Sequence, residues 1–343
     1  MSIHQRSSYL DFVKGIAIIL VVFAHSIQYG NGSDYLLKEE FFNNPCFIFI
    51  YSFHMPLFML ISGYLFFNST QKYKLGQLWA KKLRSIGIPI ISFGIIKWFS
   101  SIIHLFQGDI NYYNFARDFY YFLFLNYHAW FLWSILLNAT IVIIVRKFND
   151  SFILYVLFEV GLLFIPEKTL PGVYSFMYPF FVLGYLTNKS KVNNYWVFHS
   201  SIIIGSSILF IILLLFYNSE SYVYNSGQYI FRESGYYYLI LDTYRLIIGL
   251  IGSISFLSIV YASKVYKINS ILTKSIMDFG KLSLGIYCFQ ELFFFIGQKY
   301  FASINAQGVV STLNTFVLGF GLSYILTKVA MKCKIIKYVL FGG

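Results

Sequence analysis

Three ionisable side chains fall inside the first long apolar run of this sequence, LDFVKGIAIILVVFAHS: Asp11, Lys14 and His25. A charge at membrane depth is costly, and it usually faces a bundle interior or a watery cavity, where it marks a working site. On a helix turning about 100° per residue, Lys14 and His25 return to nearly the same face, about 16 Å apart along the axis, with Asp11 one turn below Lys14. The spacing therefore predicts a polar stripe with an acid–base pair near one membrane surface and an imidazole towards the other. A neutral imidazole is the usual general base for taking a proton from a hydroxyl. A cation near a helix end can hold clustered phosphates through charge-assisted bonds. Two plainer readings stand beside these: a structural Asp11–Lys14 pair snorkelling to the interface, and a helix-packing hydrogen bond from His25.

Further candidates follow along the chain. The run FHMPLFMLISGYLF places His54 two residues before Pro56 and sets Ser62 beside Gly63, where a small residue allows close helix approach. Lys81, Lys82 and Arg84 form a basic stretch just before Ile88-Pro89, suited to phosphates or simply to marking an inner loop. His128 precedes Trp130-Phe131-Leu132 and is either an acceptor-side group or an interfacial residue. Asp242 and Arg245 lie three apart on one helix face, a plausible intramembrane pair that either lines a cavity or holds two helices together. Lys97 and Glu159 are buried charges without an evident partner. Cys46, Cys288 and Cys333 make no metal-ligand spacing and are odd in number, so neither a metal site nor a disulfide framework is expected.

The elements that must position these groups follow from composition. The 343 residues are 58% hydrophobic, 22% aromatic and 12% charged, with mean hydropathy +0.65, outside the range of a soluble domain. The expected fold is all-α: a polytopic membrane helical bundle of about ten transmembrane helices, forming one membrane domain over residues 1–343. Apolar segments about twenty residues long, separated by polar, Gly- or Pro-containing breaks, fall at 9–28, 47–67, 86–105, 129–145, 152–165, 172–187, 195–217, 237–262, 282–300 and 308–327. The fifth and sixth are short, and the aromatic stretch 115–127 reads as an interfacial segment. The first run lacks a small-residue cleavage site and should remain as a span.

Basic residues crowd alternate loops: Arg6, then Lys72 to Arg84, Arg146 and Lys147, Lys189 and Lys191, Lys264 to Lys281, and Lys328 to Lys337. The intervening loops hold only Lys38, Arg117, Lys168, Arg232 and Lys299. Both termini are therefore expected in the cytoplasm. The formal charge of +12 is mostly topology, with the lipid bilayer as partner and no nucleic acid required. The outer loop 218–235 mixes Tyr and Phe with Asn, Ser and Gln, a surface suited to sugars and equally to a membrane interface.

Taken in order, LDFVKGIAIILVVFAHS, FHMPLFMLISGYLF, the basic run before Pro89, HAWFLWSILL and FGKLSLGIYCFQ resemble the acyltransferase-3 family of integral membrane O-acyltransferases over nearly the whole chain. The resemblance implies transfer of an acyl group, usually acetyl, from cytoplasmic acyl-CoA to a sugar hydroxyl of a cell-surface or exported glycan. It implies a multi-pass location in a cell membrane, plasma or bacterial inner. It also implies His25 and Lys14 as the essential first-span motif, Lys14 standing where many relatives carry Arg, and Arg84 with its Lys neighbours as the basic run that holds the donor. His25 would act as general base or transient acyl carrier, with Asp11, His54, Ser62, His128, Asp242 and Arg245 available to line the cavity. The chain departs from the pattern at Gln290, where many relatives carry His; Glu291 follows it. The competing reading is a carrier or flippase for a lipid-linked sugar, which would be expected to show paired broken helices in two related halves. Oligomeric state and acceptor identity are not encoded in these patterns.

Overall fold

The computed structural model describes residues 3–105, 129–164, 172–190, 198–223, 235–302 and 308–343, with side chains placed for 8–98, 129–164, 173–190, 198–223, 236–294 and 308–343. Among the described residues the regular structure is helical throughout. The helices are α1 (Ile3–Gly30), α2 (Pro45–Tyr51), α3 (His54–Lys72), α4 (Leu75–Lys82), α5 (Ile88–Leu105), α6 (Trp130–Phe148), α7 (Phe152–Leu163), α8 (Gly172–Lys189), α9 (Ser200–Leu214), α10 (Gly235–Ser263), α11 (Ile271–Lys281), α12 (Ser283–Ala302), α13 (Val309–Lys332) and α14 (Lys334–Phe341). Each of the ten predicted apolar segments contains a helix. Five stretches among the described residues are long and apolar enough to cross a bilayer: Ser8–Gly30, Pro45–Lys72, Trp130–Phe148, Tyr236–Ser263 and Val309–Lys332. The exposed faces of α9 and α13 carry Ile204, Ile208 and Ile211, and Val317, Ile325 and Val329, an apolar surface suited to lipid contact.

The second predicted span is broken. Asn44 caps α2, its Oδ1 accepting from the backbone N–H groups of Cys46 at 3.0 Å and Phe47 at 3.2 Å, with Pro45 at the first helical position. Pro56 then removes the N–H that would bond the Ser52 carbonyl, and its ring clashes with that turn, so the helix restarts at His54. The break places His54 against the end of α2, where its Nδ1 lies 2.8 Å from the Ile50 carbonyl.

Close approaches lock the bundle. A Cβ at Gly63 of α3 would lie 1.9 Å from the Phe181 carbonyl of α8, and one at Gly184 2.0 Å from the Leu60 carbonyl, so the Ser62-Gly63 step makes the tight crossing expected of it. The amphipathic α11, not among the predicted spans, docks on the first half of α1 in the same way: a Cβ at Gly280 would meet the Asp11 carbonyl at 1.8 Å, and one at Gly15 the Ile276 carbonyl at 1.9 Å. α12 and α13 flank the rest of α1.

Candidate active site

α1 carries the site along one face. Lys14 pairs with Asp11 at 2.8 Å, the expected ion pair, and also lines a cavity of about 140 Å³. The next residues of α1 on that wall are Ile18 and Val21, four and seven positions on; His25 falls a further turn along the same face. Between the Asp11–Lys14 pair and His25, the α1 wall of the cavity is apolar. α3 contributes Met55, Phe58 and Ser62 to the cavity, α6 contributes Phe131, Leu132 and Ile135, and α12 contributes Ser283, Leu284 and Tyr287. Leu132 and Tyr287 also border a smaller cavity of about 20 Å³ that reaches Lys97, Cys288 and Glu291. Ser62 lines this cavity together with Lys14, whereas Asp11, His54, Asp242 and Arg245 are not on its wall.

His25 sits beyond the cavity in an aromatic cage. Its ring lies 6.3 Å from Tyr29, 6.2 Å from Tyr51 and 5.7 Å from Phe294, centroid to centroid. The ring is only partly buried, yet its Nδ1 is enclosed and has no hydrogen-bond partner among the described residues. Tyr51 also contacts His54 at 4.8 Å, so the two histidines flank one tyrosine. His54 is 2% exposed, and its bond to the Ile50 carbonyl makes Nδ1 the donor and leaves Nε2 as the acceptor.

α12 runs alongside α1 and supplies what the sequence left unassigned. Gln290 is fully buried and close enough to His25 for its side chain to interact with the imidazole, while among the described residues neither its Oε1 nor its Nε2 makes a hydrogen bond of normal geometry. Next to it, Glu291 forms an ion pair with Lys97 of α5, both side chains largely enclosed at 15% and 11% exposure. Two opposite charges, Lys97 alone in its apolar segment and Glu291 in the middle of another that has only Lys299 near its end, were the available signal for this contact, since buried charges require partners. The Oε2 of Glu159 in α7, in contrast, is buried without a hydrogen-bond partner among the described residues.

The basic stretch divides. Lys81 turns onto Tyr73, its Nζ 2.7 Å from the hydroxyl and 4.1 Å from the ring centre. Lys82 lies over Phe66, 5.0 Å from the ring centre, one residue along α3 from the cavity-lining Leu65. Burial, reinforced by the neighbouring Lys81 charge, lowers the Lys82 amine to about 8. Arg84 is exposed on a π-helical turn, Leu83–Gly87, closed by a bond from the Ile88 N–H to the Leu83 carbonyl. Pro89 has no N–H to extend a regular ladder here, which accounts for the widened turn, and such turns are frequent at functional sites. Gly342, at φ 76°, packs on this turn so closely that a Cβ would fall 2.1 Å from the Arg84 carbonyl.

Asp242 and Arg245 form the expected pair at 2.7 Å. Arg245, 2% exposed, also donates to the carbonyls of Ser221 at 3.1 Å, Tyr222 at 3.4 Å and Glu220, so the pair clamps the segment before α10. Tyr222 in turn packs on Tyr51 at 6.0 Å. The contribution of Arg245 to the His25 cage is thus indirect. His128 and the segment 115–127 lie outside the described residues.

A family model described as an acyltransferase domain matches residues 7–328. The chain is 30% identical over 194 residues to the nodulation protein NolL of Sinorhizobium fredii (strain NBRC 101917 / NGR234), covering 53% of this chain and 49% of that protein. It is 26% identical over 198 residues to the nodulation protein NolL of Mesorhizobium japonicum (strain LMG 29417 / CECT 9101 / MAFF 303099), covering 53% and 48%. The chain spans about half the length of the curated relatives it matches. No solved structure matches it.

Proposed function

We propose that this chain, which belongs to the acyltransferase-3 family, transfers an acyl group, acetyl foremost, from cytoplasmic acyl-CoA to a sugar hydroxyl of a surface or exported glycan. The observation that carries the reading is the cavity whose α1 wall is Lys14, Ile18 and Val21, one turn short of His25. At about 140 Å³ it is smaller than the 300–1,000 Å³ of a typical ligand pocket, and in this reading it takes only the thin pantetheine arm, with the nucleotide left outside. The nucleotide phosphates remain at the inner face, where Lys14, Lys82 and Arg84 supply cations and Lys81 a further one once released from Tyr73.

His25 is the general base for the acceptor hydroxyl, which enters from the outer side past Tyr29 and Tyr51. An acyl-His25 intermediate is the alternative chemistry and would leave two-step kinetics. In this reading about ten helices cross the membrane, both termini are cytoplasmic, and the protein resides in a bacterial cell membrane. A carrier or flippase is the competing reading. The single described break in a predicted span, at Ser52–Phe53, lies beside the histidines and serves the proposed site directly.

The test uses sealed right-side-out vesicles loaded with labelled acetyl-CoA and given a membrane-impermeant sugar acceptor outside. Acetylated acceptor should appear outside, and Lys14→Ala should raise the KM for acetyl-CoA while Lys14→Arg preserves it. Product formed only when donor and acceptor share the inner compartment would overturn the transmembrane route; no transfer in either arrangement would overturn the transferase reading.

A further inference from the structure

Acyl transfer builds negative charge on the carbonyl oxygen of the acyl group, and a fixed hydrogen-bond donor aimed at that oxygen is among the strongest contributions an enzyme can make. The candidates around His25 differ in what they can give. His54 commits its Nδ1 to the Ile50 carbonyl and therefore presents an acceptor at Nε2. The Lys97 ammonium is engaged by Glu291. Gln290 alone among these combines full burial, a position beside the His25 ring and an amide that, among the described residues, makes no hydrogen bond of normal geometry at either end. A buried amide left unmatched costs free energy, and that cost is offset when a ligand supplies the missing partner.

We infer that Gln290 is a catalytic residue whose Nε2–H donates to the carbonyl oxygen of the acyl group and holds the oxyanion as it forms. The inference rests on the acyltransferase reading above and names the acyl end of its site. In the step, the acceptor hydroxyl oxygen attacks the thioester carbon while His25 takes the hydroxyl proton. The C–O bond forms, and the carbonyl π electrons move to oxygen, against Gln290. Collapse of the tetrahedral centre re-forms the carbonyl and breaks the C–S bond; the leaving thiolate takes the proton back from His25. No outside oxidant or reductant is needed. Gln290 follows Tyr287 by three residues on α12, so its backbone lies one turn beyond the cavity wall at the end where the thioester would stop.

The experiment compares wild type and Gln290→Met, which conserves volume and removes the donor, in membranes with acetyl-CoA and acceptor. Loss of one donor should cut kcat by about 10²–10³ at every pH, with both KM values within about twofold and the midpoint of the pH profile unmoved. Unchanged kcat overturns the inference, as does a loss expressed wholly in acceptor KM, which would make Gln290 an acceptor ligand. A shifted pH midpoint also overturns it, because it would show Gln290 acting through His25. Should Gln290→Met fail to accumulate, Gln290→His carries the test: this variant keeps an N–H donor, so transfer within about tenfold of wild type supports the inference and abolished transfer at normal abundance overturns it. Absence of transfer by the wild type itself would overturn the parent reading and is thereby distinguished from failure at Gln290.

Discussion

The Lys97–Glu291 pair gives the sharpest prediction about what holds this site together. Lys97 stands on α5 and Glu291 on α12, at 11% and 15% exposure, so neither charge has much access to water. Replacing Lys97 by Met takes the opposing ammonium from the Glu291 carboxylate; replacing Glu291 by Met takes the carboxylate from the Lys97 ammonium. Breaking a buried pair from one side costs about 3–5 kcal/mol, because the surviving charge keeps its desolvation penalty and loses its attraction. Replacing both partners by apolar residues of similar volume removes penalty and attraction together and is often neutral or stabilising. The double variant Lys97→Met with Glu291→Met should therefore be more stable than either single variant and close to wild type. The assay is thermal unfolding of detergent-solubilised protein, read as the fraction remaining monodisperse after heating. If the two single losses simply add in the double variant, the two residues act independently and the ion pair is not what joins α5 to α12.

Three further outcomes follow from the same geometry. His25→Ala should abolish acyl transfer while leaving membrane abundance near wild type, since the ring is partly accessible and its Nδ1 holds no hydrogen bond among the described residues; retained transfer at normal abundance removes His25 from the chemistry. Lys82, lowered to about 8, is charged below that pH and loses its proton above it, so the KM for acyl-CoA should rise as pH passes through about 8; Lys82→Arg, charged throughout, should flatten that rise. Gly63→Ala puts a methyl group 1.9 Å from the Phe181 carbonyl and must push α3 from α8, costing about 1–3 kcal/mol as overpacking; a melting temperature equal to wild type would show that this crossing is loose.

The sequence determined the helical class, the segments that become helices, and the identity of the groups on α1. It could do so because those properties are local. Apolar run length fixes which segments suit a membrane, and helical periodicity puts Lys14, Ile18, Val21 and His25 on one face whatever surrounds them. The Asp11–Lys14 and Asp242–Arg245 pairs were legible for the same reason, each being three residues apart on one helix. The family pattern could mark position 290 as unusual but could not say what the residue faces. That depended on how α12 lies against α1, a matter of long-range packing set by contacts such as Gly280 on Asp11 and Gly15 on Ile276. The pairing of Lys97 with Glu291, nearly two hundred positions later in the chain, likewise required the tertiary arrangement. So did the separation of Lys81 from Lys82 and the clamp of Arg245 on the Glu220–Tyr222 carbonyls: side chains adjacent in sequence point to different neighbours, and only the packed bundle decides which neighbour each one meets.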